Sequence, residues 1–344
     1  MMLSVRPQER LLLDLVAELP TGRLLCNTAG RAQFAAEYAR NHSDIPVACW
    51  FLDLYQLKQC GTAGDPLPPN LQLVCQSDPP EEEYDLVAWA FSRQGDGELT
   101  REMLQIGHER LALGSRLIAA IDNPRDQWLH EQLQVMFSKV TRRPSASGVV
   151  YLATKTAPLR KRKDYAAEFA YRDEGRLIHL RTRPSVFSHR QLDGGARALI
   201  KAMPACRGII LDLGCGSGAA GIAALLRSDG RGHALDCNPR AIDAVGYARD
   251  RNEVGNRMIP LLDCDGSSIV PHVYDLVLAN PPYYSDFRIA RLFIDIAARG
   301  LVRGGRLLVV TKMPQWYLEQ LSEQFDEVII QPVGNYVIVS ARQA

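Results

Sequence analysis

No Cys-x-x-Cys pair occurs among the eight cysteines (26, 49, 60, 75, 206, 215, 237 and 264). That absence excludes a zinc ribbon and a dithiol redox motif, and leaves the cysteines as small apolar packing residues of a reducing compartment. The seven histidines, at 42, 108, 130, 179, 189, 233 and 272, show no metal-ligand spacing, so no metal is expected. No uncharged apolar run approaches the roughly eighteen residues that cross a bilayer, and residues 1–9 are too polar for a secretory leader. The expectation is a cytoplasmic chain, monomeric, with no membrane partner. Net charge is nearly absent too: 40 basic residues against 39 acidic ones leave +1, which excludes a wholly basic nucleic-acid binder. The balance is local, however. Residues 155–190 hold ten Lys/Arg and only four acids, a stretch suited to phosphate.

A chain of 344 residues exceeds what one core usually supports, roughly 250–300 residues, so two domains are expected. An internal repeat says how they are related. Tyr84-Asp85-Leu86-Val87 returns as Tyr274-Asp275-Leu276-Val277, and Gly114-Ser115-Arg116-Leu117 aligns with Gly304-Gly305-Arg306-Leu307. Gln127-Trp128-x-x-Glu131-Gln132-Leu133 likewise matches Gln315-Trp316-x-x-Glu319-Gln320-Leu321. Two halves of one fold, 1–157 and 158–344, account for this order. Strand-like runs at 47–52, 71–75, 84–91, 116–121 and 149–153 alternate with helical patterns, and a second set follows at 209–213, 233–236, 259–262, 274–279, 306–311, 327–331 and 335–340. Such alternation predicts a mostly parallel, doubly wound α/β sheet in each half, the last two strands forming an antiparallel hairpin. Between the halves, 165–171 and 176–183 flank Asp173-Glu174-Gly175 and predict a further hairpin.

Chemistry concentrates in the second half. Asp212-Leu213-Gly214-Cys215-Gly216-Ser217-Gly218 ends one strand-like run and Asn280-Pro281-Pro282-Tyr283 ends another, at the sheet edge where open α/β folds bind ligands. The glycines permit a tight turn and close approach of a ligand to the backbone. Asp212, immediately before the turn, would repel a pyrophosphate and welcome a sulfonium. Asp236 ends the next strand, where an acid accepts hydrogen bonds from ribose. Ribose, positive charge and no phosphate together describe S-adenosylmethionine, with Asp263 placed for its adenine amine and Asp265 as the rival. A nicotinamide dehydrogenase gains nothing from Asp212. The proline pair removes two donors, so the Asn280 and Pro281 carbonyls converge as acceptors suited to an exocyclic NH2, while Tyr283 offers a stacking face.

These motifs resemble those of the class I S-adenosylmethionine-dependent methyltransferases that act on amino or amide nitrogens. Val186-Phe187-Ser188, Asp193-Gly194-Gly195 and the degenerate first half narrow the resemblance to bacterial ribosomal RNA guanine-N2 methyltransferases, small-subunit type. It implies tandem Rossmann-like methyltransferase domains, each with a seven-stranded sheet, and ribosomal RNA or a ribosomal subunit as partner. It also implies that Asp212, Gly214, Cys215, Gly216, Gly218, Asp236, Asp263 and Asn280 hold the cofactor, and that Asn280, Pro281, Pro282 and Tyr283 carry catalysis. Phe187, Asp193 and Tyr283 would line the target pocket, and Arg160, Lys161, Arg162 and Lys163 would meet the RNA backbone. Where that family has Phe and His after the prolines, this chain has Tyr283 and Tyr284, which leaves adenine N6 and a protein glutamine amide as other acceptors. A non-enzymatic RNA-binding assembly module is the remaining alternative. In the first half Cys26-Asn27-Thr28-Ala29-Gly30 and Ala90-Phe91-Ser92-Arg93 replace the two motifs, although Asp53 ends the second strand much as Asp236 does.

Overall fold

The structure is a computed structural model that describes residues 5–61, 66–282 and 286–344. It divides into two compact units, 1–165 and 166–344. The connector 158–165 goes with the first unit because the Gln105 side chain grips Lys163 from both sides. Its Nε2 donates to the Lys163 carbonyl (2.9 Å) and its Oε1 accepts from the Lys163 N–H (3.0 Å).

The first unit runs α1 (Pro7–Leu13), β1 (Leu24–Asn27), α2 (Gln33–Asn41), β2 (Val47–Phe51), α3 (Leu54–Lys58), β3 (Leu71–Cys75), β4 (Tyr84–Phe91), α4 (Gly97–Arg110), β5 (Leu111–Ile121), α5 (Trp128–Gln134), β6 (Val140–Pro144) and β7 (Val149–Thr154). Its seven strands lie in the order β3-β2-β1-β4-β5-β7-β6. Of its six strand pairings, β5–β7 and β6–β7 are antiparallel and the other four are parallel.

The second unit opens with the hairpin β8 (Ala167–Asp173) and β9 (Arg176–Thr182). Glu174 (φ 45°) and Gly175 (φ 81°) both turn left-handed between them, as a two-residue hairpin turn requires. Then come α6 (Gly194–Ala202), β10 (Ile209–Leu213), α7 (Ala219–Leu226), β11 (Arg231–Asp236), α8 (Pro239–Arg251), β12 (Met258–Leu262), β13 (Tyr274–Ala279), α9 (Arg288–Gly300), β14 (Leu301–Thr311), α10 (Pro314–Ser322), β15 (Asp326–Val333) and β16 (Tyr336–Arg342). The order β12-β11-β10-β13-β14-β16-β15 repeats that of the first sheet. The fold is therefore two tandem Rossmann-like units, each a mostly parallel seven-stranded sheet closed by an antiparallel hairpin.

Burial explains the layers. The central strands are apolar on both faces: Leu211, Val277 and Leu307 pack under α9 and α10, while Ile210, Leu276 and Leu308 pack under α6, α7 and α8 together with Tyr171, Ile178 and Leu180 of the hairpin. Two-sided burial is what a parallel sheet flanked by helices demands. The strand order reverses beside β10, which pairs with β11 on one side and β13 on the other. The loops after β10 and β13 thus share the switch point of the sheet, where ligands bind.

Candidate active site

The loop after β10 is built on three left-handed glycines, Gly214 (φ 64°), Gly216 (φ 50°) and Gly218 (φ 78°). At Gly216 a Cβ would lie 1.8 Å from the Phe187 carbonyl oxygen, so no other residue fits there. Every backbone N–H of the turn has an acceptor within the protein. Those of Gly214 and Cys215 donate to the Leu235 carbonyl (2.8 and 3.0 Å), that of Ser217 to Phe187 (3.1 Å) and that of Gly218 to Cys215 (2.8 Å). The Gly216 N–H donates to Asp236 Oδ2 (2.9 Å). A dinucleotide loop offers such donors to a pyrophosphate; this one has none left to give.

Under the loop lies Asp212, 4% exposed. Its Oδ2 accepts from the Gly221 N–H at 2.9 Å. Burial is the main cause that pushes its carboxyl up to about 7; the Gly221 bond opposes the rise and the neighbouring Asp236 adds to it. A carboxyl poised in this way gains most from a positive ligand. Asp236 holds the turn through one oxygen and accepts from the Asn238 N–H (2.9 Å) through the other. Asn238 in turn caps α8 and donates through Nδ2 to the Ser185 carbonyl (2.8 Å).

Asp263, just beyond β12, is buried. Burial alone would raise its pKa, but the N–H groups of Asp265 and Ser268 and the Ser268 hydroxyl bind the carboxylate and hold it below its usual range. The Gly266 N–H adds a further bond at 3.1 Å. The side chain therefore shapes the 264–268 turn. Cys215 is buried and its thiol is pushed up, so it lines the loop as a neutral group.

After β13, Asn280 donates through Nδ2 to Asp193 Oδ2 at 3.0 Å. A carboxylate only accepts, so this partner fixes the amide orientation and turns Asn280 Oδ1 into the acceptor. Asp193 is itself held, capping α6 by accepting from the Ala196 N–H (3.0 Å) and donating its own N–H to Ser188 Oγ (3.1 Å). Gly195 makes the approach possible, since a Cβ there would come within 2.9 Å of Asn280 Oδ1. The Phe187–Ser188 peptide is cis, the Phe187 side chain is 65% exposed, and Val186 packs on Ala241 and Ala244 of α8. One segment, 185–193, thus ties the glycine loop, α8 and Asn280 together.

The structure brings Asp212, Gly214, Cys215, Gly216, Gly218, Asp236, Asn280, Asp193 and the Phe187 backbone to one edge of the second sheet. Pro281 is buried and Pro282 half-buried beside them, whereas Tyr283 lies outside the described residues. Arg160, Lys161, Arg162 and Lys163 belong to the first unit, where Arg162 pairs with Glu109 (3.4 Å) and Lys163 lies over the Tyr165 ring (4.9 Å). Sequence reasoning placed Ser188 and Gly195 in two motifs without giving either a role, and it passed over Asn238, a cap residue directly before Pro239.

The model of the methyltransferase small domain matches residues 177–340. Ribosomal RNA small subunit methyltransferase C of Shewanella piezotolerans is 27% identical over 278 residues, covering 77% of this chain and 79% of its own. The uncharacterized protein YbxB of Bacillus subtilis is 30% identical over 167 residues, 46% of this chain and 82% of its own. Among solved structures, a 16S rRNA N2 methyltransferase from T. thermophilus in complex with AdoMet and guanosine superimposes with a TM-score of 0.82, at 18% identity, over 98% of this chain and 92% of that one. On the family model and the relatives, the chain belongs to the methyltransferase small-domain family, among the relatives of the ribosomal RNA small subunit methyltransferases C.

Proposed function

We propose that the second unit transfers a methyl group from S-adenosylmethionine to the exocyclic N2 amine of a guanine in ribosomal RNA. The observation that carries the reading is the pairing of two features on one sheet edge: a glycine loop with every N–H engaged above a buried Asp212, and an Asn280 amide locked by Asp193. The first suits a ligand with ribose and positive charge and no phosphate; the second suits a planar amine.

The residues divide the work. The 214–218 turn, with Cys215 as its neutral wall, leaves room for the cofactor. Asp236 accepts from ribose hydroxyls, Asp212 balances the positive charge, and Asp263 positions the turn that borders the adenine. The bound cofactor supplies an electrophilic methyl on sulfur. Asn280 Oδ1 and the Pro281 carbonyl accept the two N–H bonds of the guanine amine, which draws its lone pair out of conjugation and toward that methyl. Pro282 stiffens the turn, and Tyr283 supplies the face on which the base stacks. Phe187 and Asp193 close the other side, Asp193 acting through Asn280. Once the nitrogen carries the methyl its proton is acidic and leaves to solvent, so no general base is needed.

The first unit, with Arg160, Lys161, Arg162 and Lys163, docks the RNA backbone, and a monomer in the cytoplasm completes the reading. Labelled S-adenosylmethionine incubated with undermethylated small ribosomal subunits, followed by digestion to nucleosides, tests it. Label in N2-methylguanosine is expected; label in N6-methyladenosine or in protein glutamine, or none at all, would overturn it.

A further inference from the structure

Phe287 caps the N-terminus of α9 in an unfavourable way. Asp286 (φ 48°) and Phe287 (φ 61°) are consecutive left-handed residues, and no side chain caps the helix. Bulky side chains avoid that region. The equivalent helix of the first unit has no such cost. Its register runs 190 residues earlier, since Tyr84 faces Leu111 as Tyr274 faces Leu301. There Asp96 stands for Asp286 and caps α4 by accepting from the Glu98 and Leu99 N–H groups, and Gly97 stands for Phe287.

The surroundings show what the change achieves. In both units a tryptophan sits in the first turn of the later helix and an arginine covers it: Arg101 lies 5.1 Å over Trp128, and Arg291 lies 5.9 Å over Trp316. That shared pair is packing. Among the described residues only the second unit adds an aromatic ring: Phe287 lies flat on Trp316 with centroids 4.2 Å apart and planes 14° apart. Both rings are only partly buried. Their place in the fold is the Asn280 edge, because the Asn280 loop leads into α9 and the adjacent end of β14 leads into α10.

We propose that the Phe287–Trp316 stack is a platform for the nucleobase next to the target guanine. A stacked aromatic pair fits single-stranded RNA, whose bases stack on such rings whatever their identity. A helix cap given up for a ring at a site edge marks function rather than stability. The proposal rests on RNA being the substrate.

Three variants test it: Phe287→Gly, which restores the first unit's residue, Phe287→Leu, which keeps apolar volume without a π face, and Phe287→Tyr, which keeps the face. Each is measured for thermal unfolding, S-adenosylmethionine affinity, and affinity and kcat/KM toward small-subunit RNA. The glycine and leucine variants are expected to lose about ten- to a hundredfold in RNA affinity, the value of one base–ring stack. Tyrosine should rescue, and cofactor affinity should hold in all three. A leucine variant equal to wild type, or parallel loss of cofactor affinity, would overturn the platform. Wild-type enzyme transferring no methyl to RNA would overturn the substrate reading itself, and the platform with it.

Discussion

The two units fold alike and differ where β10 and its counterpart β1 end. Cys26 faces Ala88 as Asp212 faces Leu278, so a cysteine stands where the second unit has its buried acid. The same register sets Cys49 on Ala234, which places Phe51 at the position of Asp236. Asp53, which by sequence seemed to mirror Asp236, instead mirrors Asn238: it caps α3 by accepting from the Tyr55 and Gln56 N–H groups. The loop after β1 is closed from within. The fully buried Glu9 of α1 accepts from Thr28 Oγ1 (2.6 Å), the Ala29 N–H (3.1 Å) and the Phe34 N–H (3.1 Å). Ala90 replaces Asn280, and Asn27 ties that strand end through its own amide, accepting from the Ala90 N–H at 2.7 Å. One scaffold thus carries either a glycine turn whose N–H groups go to backbone carbonyls and to Asp236, or a loop whose N–H groups go to a fully buried Glu9.

Making the second unit more like the first should break it in graded steps. The largest effect is expected from Asn280→Ala, the first unit's residue: loss of the amide acceptor should cut kcat by about a hundred- to a thousandfold, with cofactor affinity by calorimetry nearly unchanged. Next is Gly216→Ala, where a methyl group would collide with the Phe187 carbonyl in a left-handed turn. A loss of about 2–4 kcal/mol in denaturant unfolding of the second unit is expected, together with loss of cofactor binding.

Asp212→Asn sharpens the comparison through pH. Its carboxyl is pushed from 3.8 up to about 7 by burial, so the folded chain holds a proton there that the unfolded chain releases. Stability of the cofactor-free protein should therefore fall as pH rises from about 4 to about 7, by up to about 4 kcal/mol, and level off above. A positive ligand favours the carboxylate, so S-adenosylmethionine affinity should rise across the same window. Unfolding and calorimetry at several pH values should show the variant flattening both trends. The smallest effect at the site is expected from Glu9→Gln. It should weaken the first unit by about 1–3 kcal/mol, because the Ala29 and Phe34 N–H groups lose a carboxylate acceptor, while cofactor affinity stays at the wild-type value.

What the sequence revealed depended on whether a backbone requirement was local. The three glycines and the proline pair declare themselves because few residues tolerate their dihedrals, and the central strands because burial on both faces makes them apolar throughout. β6 gave no such sign: Val140–Pro144 is an edge strand, exposed along almost its whole length and carrying Arg142 and Arg143. β14 begins at Leu301 rather than 306 because its pairing with β13 slips between Tyr274 and Leu276, an irregularity that breaks the strand pattern. The clamp on Asn280 was invisible for a different reason. Asp193 lies 87 residues away in sequence, and a capping aspartate before Gly194-Gly195 looks the same whether or not it also orients an amide. Asp53 misled because counting residues cannot show that two acids sit two positions apart in register.

The central claim is that the crevice of the second unit takes S-adenosylmethionine and that of the first, filled by Glu9, does not. Calorimetric titration of the full chain tests it most directly. One site per chain is expected, abolished by Asp236→Ala and untouched by Glu9→Gln; two sites, or a single site that survives Asp236→Ala with full affinity, would contradict it.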